Sequence, residues 1–208
     1  KDDTQIGSIG TGGGDLTIGT GNAGLRFFDA TPAIYPRDTS GNDEDGTVDL
    51  GLSGARFKDL YLSGGVFLGG TGSANQLDDY EEGSFTATLS PNTSGTITLE
   101  SDKDLMQYTK VGRLVTINGM LRISSVSSPV GDYFALNLPF TPSDFPEFSG
   151  RTQGGVMMKD ASTSGANAFE MEGSLLIEQQ TQIRIYRDAS TLGASDDVYV
   201  SCTYITTA

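Results

Sequence analysis

The sequence predicts an all-β fold, and three observations support that prediction. The 208-residue chain consists of short runs rich in Thr, Val, Ile, Leu, Phe and Tyr, separated by Gly, Asn, Asp, Ser and Pro. Apolar residues at helical spacing are scarce along its length. Of the 28 glycines, 18 lie in residues 1–83 and 10 lie in residues 84–208. This change in composition predicts two regions, a glycine-rich one ending at Gly83 and a terminal β domain after it.

Residues 1–83 contain short apolar units that end in glycine. Each supplies a strand of about three to five residues and a turn in which glycine takes positive φ without steric cost. Strands this short bury little surface alone, so they must stack on neighbours or on copies of themselves in other chains. We therefore predict a trimeric β-repeat shaft with its apolar side chains facing a threefold axis, and an acidic hinge or short helical turn over 75–83. The units are residues 16–19, 50–54, 60–65 and 66–70.

Residues 84–208 predict an antiparallel β-sandwich of jelly-roll type. About nine strand-like runs with turns between them are typical of that architecture. The proline-marked stretch 139–149 predicts a loop between strands. Cys202, the single cysteine, lies in the last apolar run and is interpreted as a small buried core residue. The runs are 85–89, 96–99, 105–109, 114–117 followed directly by 120–123, 133–138, 155–158, 174–177, 182–186 and 198–205.

Composition and charge exclude several classes of protein. The chain has no histidine, so it has neither an imidazole base nor a His-ligated zinc site. Its 13 basic and 27 acidic residues give a net charge of −14, which argues against nucleic acid and anionic membrane surfaces as partners. No apolar run approaches the ~20 residues of a membrane span. The chain begins at Lys1 with neither Met nor a signal segment, as expected of a fragment or a processed product.

Two motifs that suggest ligands have simpler explanations. Residues 19–24 match GxGxxG, but a strand-like run to Pro32 follows where a dinucleotide site needs a helix. The acidic turn 38–49 partly matches an EF-hand loop, but Gly41 stands at its first ligand position and no helices flank it. A calcium site of another kind stays an alternative to a solvated turn, with Asp43, Asp45 and Asp49 as its ligands. We predict no cofactor and no metal.

Carboxylate clusters raise the possibility of an enzyme that cleaves polysaccharide. Paired carboxylates perform glycoside hydrolysis when a cleft presents them to the sugar. The chain lacks tryptophan for an aromatic platform, and an acidic protein contains such pairs by chance. We predict that the protein is not an enzyme, with a depolymerase as the less favoured alternative. The clusters are Asp78, Asp79, Glu81 and Glu82 in one segment and Glu170 and Glu172 in another.

Four aromatic residues near predicted loops are candidates for contact with a sugar or protein receptor. They are Tyr133, Phe134, Phe145 and Phe148. Packing in the core or at a trimer interface is the favoured alternative for them. The connections that contain or neighbour them, 127–134 and 143–150, are with 160–168 the first places to look for receptor contacts.

Two segments carry a resemblance to a known family. Residues 55–65, ARFKDLYLSGG, and 77–83, LDDYEEG, resemble bacteriophage tail-fibre and related virion fibre proteins. Residues 14–21 and 108–119 are similar to repeat units and to a strand-turn-strand of the same proteins. The resemblance implies a homotrimeric virion fibre, joined through upstream sequence to other virion proteins. It also implies a terminal domain that meets the host surface.

Three functions follow as hypotheses. The first is adhesion of the terminal domain to a bacterial surface glycan or outer-membrane protein, with weak contacts multiplied by three copies. The second is a structural fibre or decoration protein whose terminal domain trimerises and caps the shaft. The third is the depolymerase. The resemblance transfers no receptor residue and leaves tail and capsid fibres open.

Overall fold

The computed structural model describes residues 7–144, 154–161, 169–176 and 181–206. Within them the chain is all-β, as predicted, with sixteen strands and two short 3-10 turns. It divides into two compact units, residues 1–62 and residues 63–208. The division between units therefore lies at 62/63 rather than at the composition boundary, 83/84.

The first unit is built around a four-stranded antiparallel meander in the order β1-β2-β3-β4. Positive φ angles at Gly13 and Gly14 (64° and 100°) close the first hairpin, and Gly21 (54°) closes the second. Residues 37–62 follow with isolated bridges rather than further strands. The strands are β1 Ser8–Gly12, β2 Asp15–Thr20, β3 Ala23–Phe28 and β4 Ala33–Pro36.

The GxGxxG stretch forms the β2–β3 hairpin, which confirms that it does not lead into a helix. Gly19 and Gly24 lie opposite each other across the two strands. A Cβ placed on Gly19 would be 2.6 Å from the Cα of Gly24, so the backbones approach too closely for any side chain. The glycines of this motif therefore serve strand contact, not phosphate binding.

The second unit begins with a two-stranded ribbon and continues as a ten-stranded antiparallel sheet. Its strand order is β7-β10-β11-β16-β13-β14-β15-β12-β8, and β9 pairs with β11. The 3-10 turns span Ser73–Asn75 and Ala189–Thr191. The strands are β5 Val66–Phe67, β6 Gln76–Leu77, β7 Tyr80–Thr86, β8 Leu89–Pro91, β9 Ser94–Leu99, β10 Leu105–Val111, β11 Leu114–Val130, β12 Phe134–Asn137, β13 Gly155–Lys159, β14 Phe169–Leu176, β15 Gln182–Tyr186 and β16 Asp197–Ile205.

The predicted sandwich takes the form of one continuous curled sheet. Strand β14 pairs with β13 through residues 169–172 and with β15 through residues 173–176. The 17-residue strand β11 likewise pairs with β16 and then with β9, with register breaks after Ile123 and Ser127. Because both strands change partners along their length, the ten strands form one continuous hydrogen-bonded path around the core.

The predicted hinge is part of this sheet. Residues 80–83 belong to β7, which pairs with β10 from Tyr80↔Val111 to Thr86↔Leu105. The short helical turn predicted for the same segment lies just before it, at Ser73–Asn75. The adjacent charged residues Glu81 and Glu82 do not prevent strand formation at a sheet edge, because both are exposed to water.

Alternate residues of the strands fill a single core. Along β15, Ile183 and Ile185 are fully buried while Tyr186 lies on the outside. Cys202 is buried in the same core, as predicted. The largest fully buried side chains are Phe134, Met106, Ile117, Leu121, Ile123, Leu136, Met158, Ile183 and Ile185.

Burial makes Cys202 unreactive, which gives the first test of the core. Burial raises the pKa of its thiol to about 11, so at pH 8 the thiol stays protonated as well as inaccessible. We expect no alkylation by iodoacetamide at pH 8 in the folded protein and one modified cysteine per chain in denaturant, measured by mass spectrometry. Rapid alkylation of the folded protein would contradict this position for Cys202.

Candidate functional site

The N-terminal sheet exposes an apolar face. Ile9, Ile18 and Leu25 lie opposite one another across β1, β2 and β3, and Leu16, Phe27 and Ile34 form the next cross-strand row. Residues paired in this way project from the same side of a sheet. All six are exposed, and Ile9 is 77% exposed. These six residues are called the apolar sheet face below.

The opposite side of the sheet is polar and internally bonded. Arg26 donates hydrogen bonds to Asp15 (Nε to Oδ2, 2.9 Å) and to the Tyr35 hydroxyl (2.8 Å). Its guanidinium also lies 4.8 Å from the centre of the Phe28 ring. The hydrogen bond from Arg26 holds the pKa of the Asp15 carboxyl below its usual value. Arg26, Asp15 and Tyr35 on this side therefore satisfy one another.

Burial in this sheet is the reverse of that in an ordinary amphipathic sheet. Asp15 on the polar side is only 7% exposed, whereas the aliphatic residues of the other side face solvent. Full burial of a Leu, Ile or Phe side chain contributes about 1.5–3 kcal/mol, which a single chain does not gain here. Contiguous apolar surface of this kind marks an interaction site.

A second set of exposed apolar residues follows in the same unit. Leu50, Leu52, Phe57 and Leu60 line a cavity of about 840 Å³ and are themselves mostly exposed. The segment that carries them is held by few backbone hydrogen bonds, chiefly the pair between Leu52 and Ala55. The first unit therefore carries a second group of exposed apolar residues besides the apolar sheet face.

The C-terminal sheet carries an apolar row on its outer face. Met120, Tyr199, Met157 and Met171 lie opposite one another across β11, β16, β13 and β14. Phe169 joins the row, with its ring centre 5.6 Å from that of Tyr199. Met171 is 71% exposed. These five residues are called the methionine row below.

A groove opens near one end of β15. It has a volume of about 600 Å³, and its lining includes Thr93, Asp132, Tyr186, Arg187, Asp188 and Ser190. The Tyr186 ring lies 5.6 Å from the ring of Tyr133, centre to centre, at an interplanar angle of 54°. The guanidinium of Arg184 lies 4.8 Å from the Tyr133 ring centre on the same outer face. This feature is called the tyrosine groove.

The four predicted receptor residues have different outcomes. Phe134 is fully buried in the core, so its ring is not available to a receptor, and the prediction for it is wrong. The reason is strand alternation, because Phe134 is the first residue of β12 and points inward opposite Ile185. Tyr133, one residue earlier, is half-buried beside the tyrosine groove. Phe145 and Phe148 lie outside the described residues.

The carboxylates considered for catalysis bind protein partners. Glu170 and Glu172 both accept hydrogen bonds from Nη1 of Arg187, at 2.8 and 2.7 Å, and Asp160 lies 3.6 Å from its other terminal nitrogen. Both glutamates are thus engaged by one arginine within the protein. The Arg187 side chain is only 12% exposed.

The carboxylates at the start of β7 also bind groups of the protein itself. Asp79 forms an ion pair with the buried ammonium of Lys110. Tyr108 donates a hydrogen bond to Glu81, which raises the pKa of the tyrosine hydroxyl. Glu82 accepts a similar bond from Tyr80. Asp79 and Glu81 therefore tie this segment to β10, whereas the Glu82 bond lies within β7.

The acidic turn 38–49 is also internally bonded. Asp43 lies 3.9 Å from Nε of Arg37, and Asp38 accepts hydrogen bonds from the backbone and side chain of Asn42. The hydrogen bonds from Asn42 lower the pKa of Asp38. Within the part of the chain that the structure describes, no group of three or more His, Cys, Asp or Glu residues is arranged to hold a metal ion.

No helix among the described residues is both long and apolar enough to cross a membrane.

The chain was compared with protein families, curated proteins and solved structures. No protein-family model matches the chain, and no curated protein matches it. Among solved structures, the chain is similar to the Dettilon tailspike protein, with a TM-score of 0.44 and 21% sequence identity. The match covers 61% of this chain and 23% of the tailspike chain, so it spans about a quarter of that protein's length.

Proposed function

We propose that the chain is a bacteriophage virion fibre protein that assembles as a homotrimer and adheres to the host-cell surface through its C-terminal domain. The observation that carries the proposal is the apolar sheet face, six exposed residues on a sheet whose polar side is internally bonded. The sequence resemblance of residues 55–65 and 77–83 to virion fibre proteins points to the same class.

Copies of this chain are the partner that the first unit fits best. A sheet that hides a salt bridge and exposes its aliphatic residues becomes amphipathic in the usual sense once the apolar face is covered. Three such faces meeting about an axis bury one another and leave the Arg26 side toward solvent.

Trimeric assembly supplies what weak adhesion requires. Three C-terminal domains held on one shaft engage a repetitive surface together, and linked binding raises the apparent affinity by about 10²–10⁴ over one site. The Arg187 ion pairs of Glu170 and Glu172 support binding without cleavage. The fibre would then hold its target rather than degrade it.

Adhesion is tested by labelling the 208-residue protein with a fluorophore and measuring its binding to a panel of bacterial strains by flow cytometry. We expect saturable binding to host strains and background binding to the others. A matched control is an assembly-deficient variant, which should lose binding because it loses linked sites. A trimer that binds no strain would contradict adhesion and favour the purely structural fibre. Release of reducing ends from host polysaccharide would favour the depolymerase.

A further inference from the structure

We propose that the tyrosine groove of the C-terminal sheet is a binding site for a neutral, hydroxyl-rich glycan, with one sugar ring stacked on Tyr186. The inference rests on the proposed adhesive function and names its ligand class and its site. Three features of the groove carry it, and they concern stacking, hydrogen bonding and charge.

The stacking surface is the ring of Tyr186. Tyr186 projects from the outer face of β15 and is 44% exposed. Its neighbour on β14 is Gly173, which has no side chain to cover the ring from that side. On the other side Tyr133 buttresses it, and Arg184 packs on Tyr133 in turn. An amphipathic ring held in this way offers an apolar face to the C–H groups of a sugar and a hydroxyl at its edge.

The hydrogen-bonding groups lie on two connected turns. Asp188 accepts bonds from the backbone nitrogen (2.9 Å) and hydroxyl (2.7 Å) of Ser190, which fix its carboxylate. Ala189 donates a backbone hydrogen bond to the Gly131 carbonyl at 2.8 Å, which ties this turn to the one carrying Asp132. Two carboxylates and the neighbouring hydroxyls thus converge on one groove, and carboxylates accept strongly from sugar hydroxyls.

The charge of the groove lining favours a neutral glycan over an anionic one. Arg187 is the cation in that lining, and it is already paired with Glu170, Glu172 and Asp160. The guanidinium of Arg184 packs on the Tyr133 ring beside the groove and is not part of the lining. An acidic sugar would meet the Asp132 and Asp188 carboxylates with no available cation from Arg187, on a chain of net charge −14. Like charges at a binding surface suppress the wrong partner.

The groove differs from the surface that a protein partner would use. The methionine row differs in composition, because its five members are Met, Tyr and Phe side chains and none is a carboxylate. Aromatic and methionine side chains are enriched where proteins bind proteins. A protein receptor on the methionine row is therefore the outcome that the experiment must distinguish.

The test uses the 208-residue protein and host cells. The cells are treated either with periodate, which oxidises and cleaves the vicinal diols of sugars, or with protease. Tyr186→Ala should lower the apparent affinity for untreated cells by about tenfold or more, while Tyr186→Phe should retain it because the ring remains. Tyr199→Ala is the matched control, since Tyr199 also belongs to an outer-face aromatic pair. Periodate should abolish binding and protease should not. Asp132→Ala, on an exposed turn, should weaken binding independently if Tyr186→Ala fails to fold.

The ligand class is read from an array of purified neutral and uronic-acid polysaccharides. We expect binding to neutral members only, with the same loss in Tyr186→Ala. Binding that protease removes, or that Tyr199→Ala abolishes while Tyr186→Ala does not, would overturn the groove and leave adhesion standing. Preferential binding to acidic polysaccharide would overturn the ligand class. Failure of the unaltered trimer to bind any cell would instead overturn the proposed function.

Discussion

The double substitution Ile18→Asp/Leu25→Asp is expected to convert the assembled protein into single chains. The two residues face each other across β2 and β3 in the middle of the apolar sheet face, and both are exposed within one chain. In the trimer they would be buried, and each carboxylate would then lie unpaired in a dry interface at a cost of several kcal/mol. Sedimentation velocity should show one species with the mass of a single chain.

The matched control adds the same charge elsewhere in the same sheet. Asn22→Asp/Thr31→Asp places two carboxylates on the exposed turns that flank β3, away from both apolar rows. This variant should assemble as the unaltered protein does, since surface carboxylates change stability little. If the Ile18→Asp/Leu25→Asp protein assembles equally well, the apolar sheet face is not the interface.

Truncation of Phe134 is expected to have the largest effect on the C-terminal domain. Its side chain is fully buried among core residues, so Phe134→Ala should lower the free energy of unfolding by about 3–5 kcal/mol. Tyr133→Ala, one residue away on the outside, should cost much less, since it removes one ring pair and a partly exposed side chain. Urea unfolding followed by circular dichroism measures both variants.

The protein concentration must be held fixed in that comparison, because the apparent stability of an oligomer depends on it. Equal destabilisation by Phe134→Ala and Tyr133→Ala would contradict the assignment of Phe134 to the core and Tyr133 to the surface. A folded Phe134→Ala protein that loses cell binding without losing stability would restore Phe134 as a receptor residue.

The strand content of this chain is predictable because it depends on local composition. Runs such as 182–186 alternate apolar and polar residues and are bounded by turn residues, and the structure places β15 there. The glycines at 13, 14 and 21 likewise close hairpins through positive φ. The burial of Cys202 followed from its place in an apolar run.

The arrangement of the strands is less predictable, since it depends on contacts between distant residues. Nothing in the local sequence of β14 states that its two halves pair with different strands. The same reason explains the boundary at 62/63, because residues 80–83 join the C-terminal sheet through β10, more than twenty positions later. The glycine content changes at Gly83, but the pairing of strands does not follow that change in composition.

The residues of the candidate site are also hard to predict from local sequence. Tyr133 and Phe134 are adjacent aromatic residues, and only the phase of β12 decides which one faces the core. Tyr186 was not among the sequence candidates, since its partner Tyr133 lies 53 positions earlier and the pairing of β12 with β15 brings them together. The apolar residues of the glycine-rich region were a usable signal, and the exposed face they form is what supports assembly.

The mass of the 208-residue protein in solution tests the central claim most directly. Light scattering at micromolar concentration should give three times the 21.9 kDa of one chain, because the apolar sheet face requires copies of itself to cover it. A stable, folded species of 21.9 kDa at that concentration would contradict the trimer and, with it, the proposed fibre function.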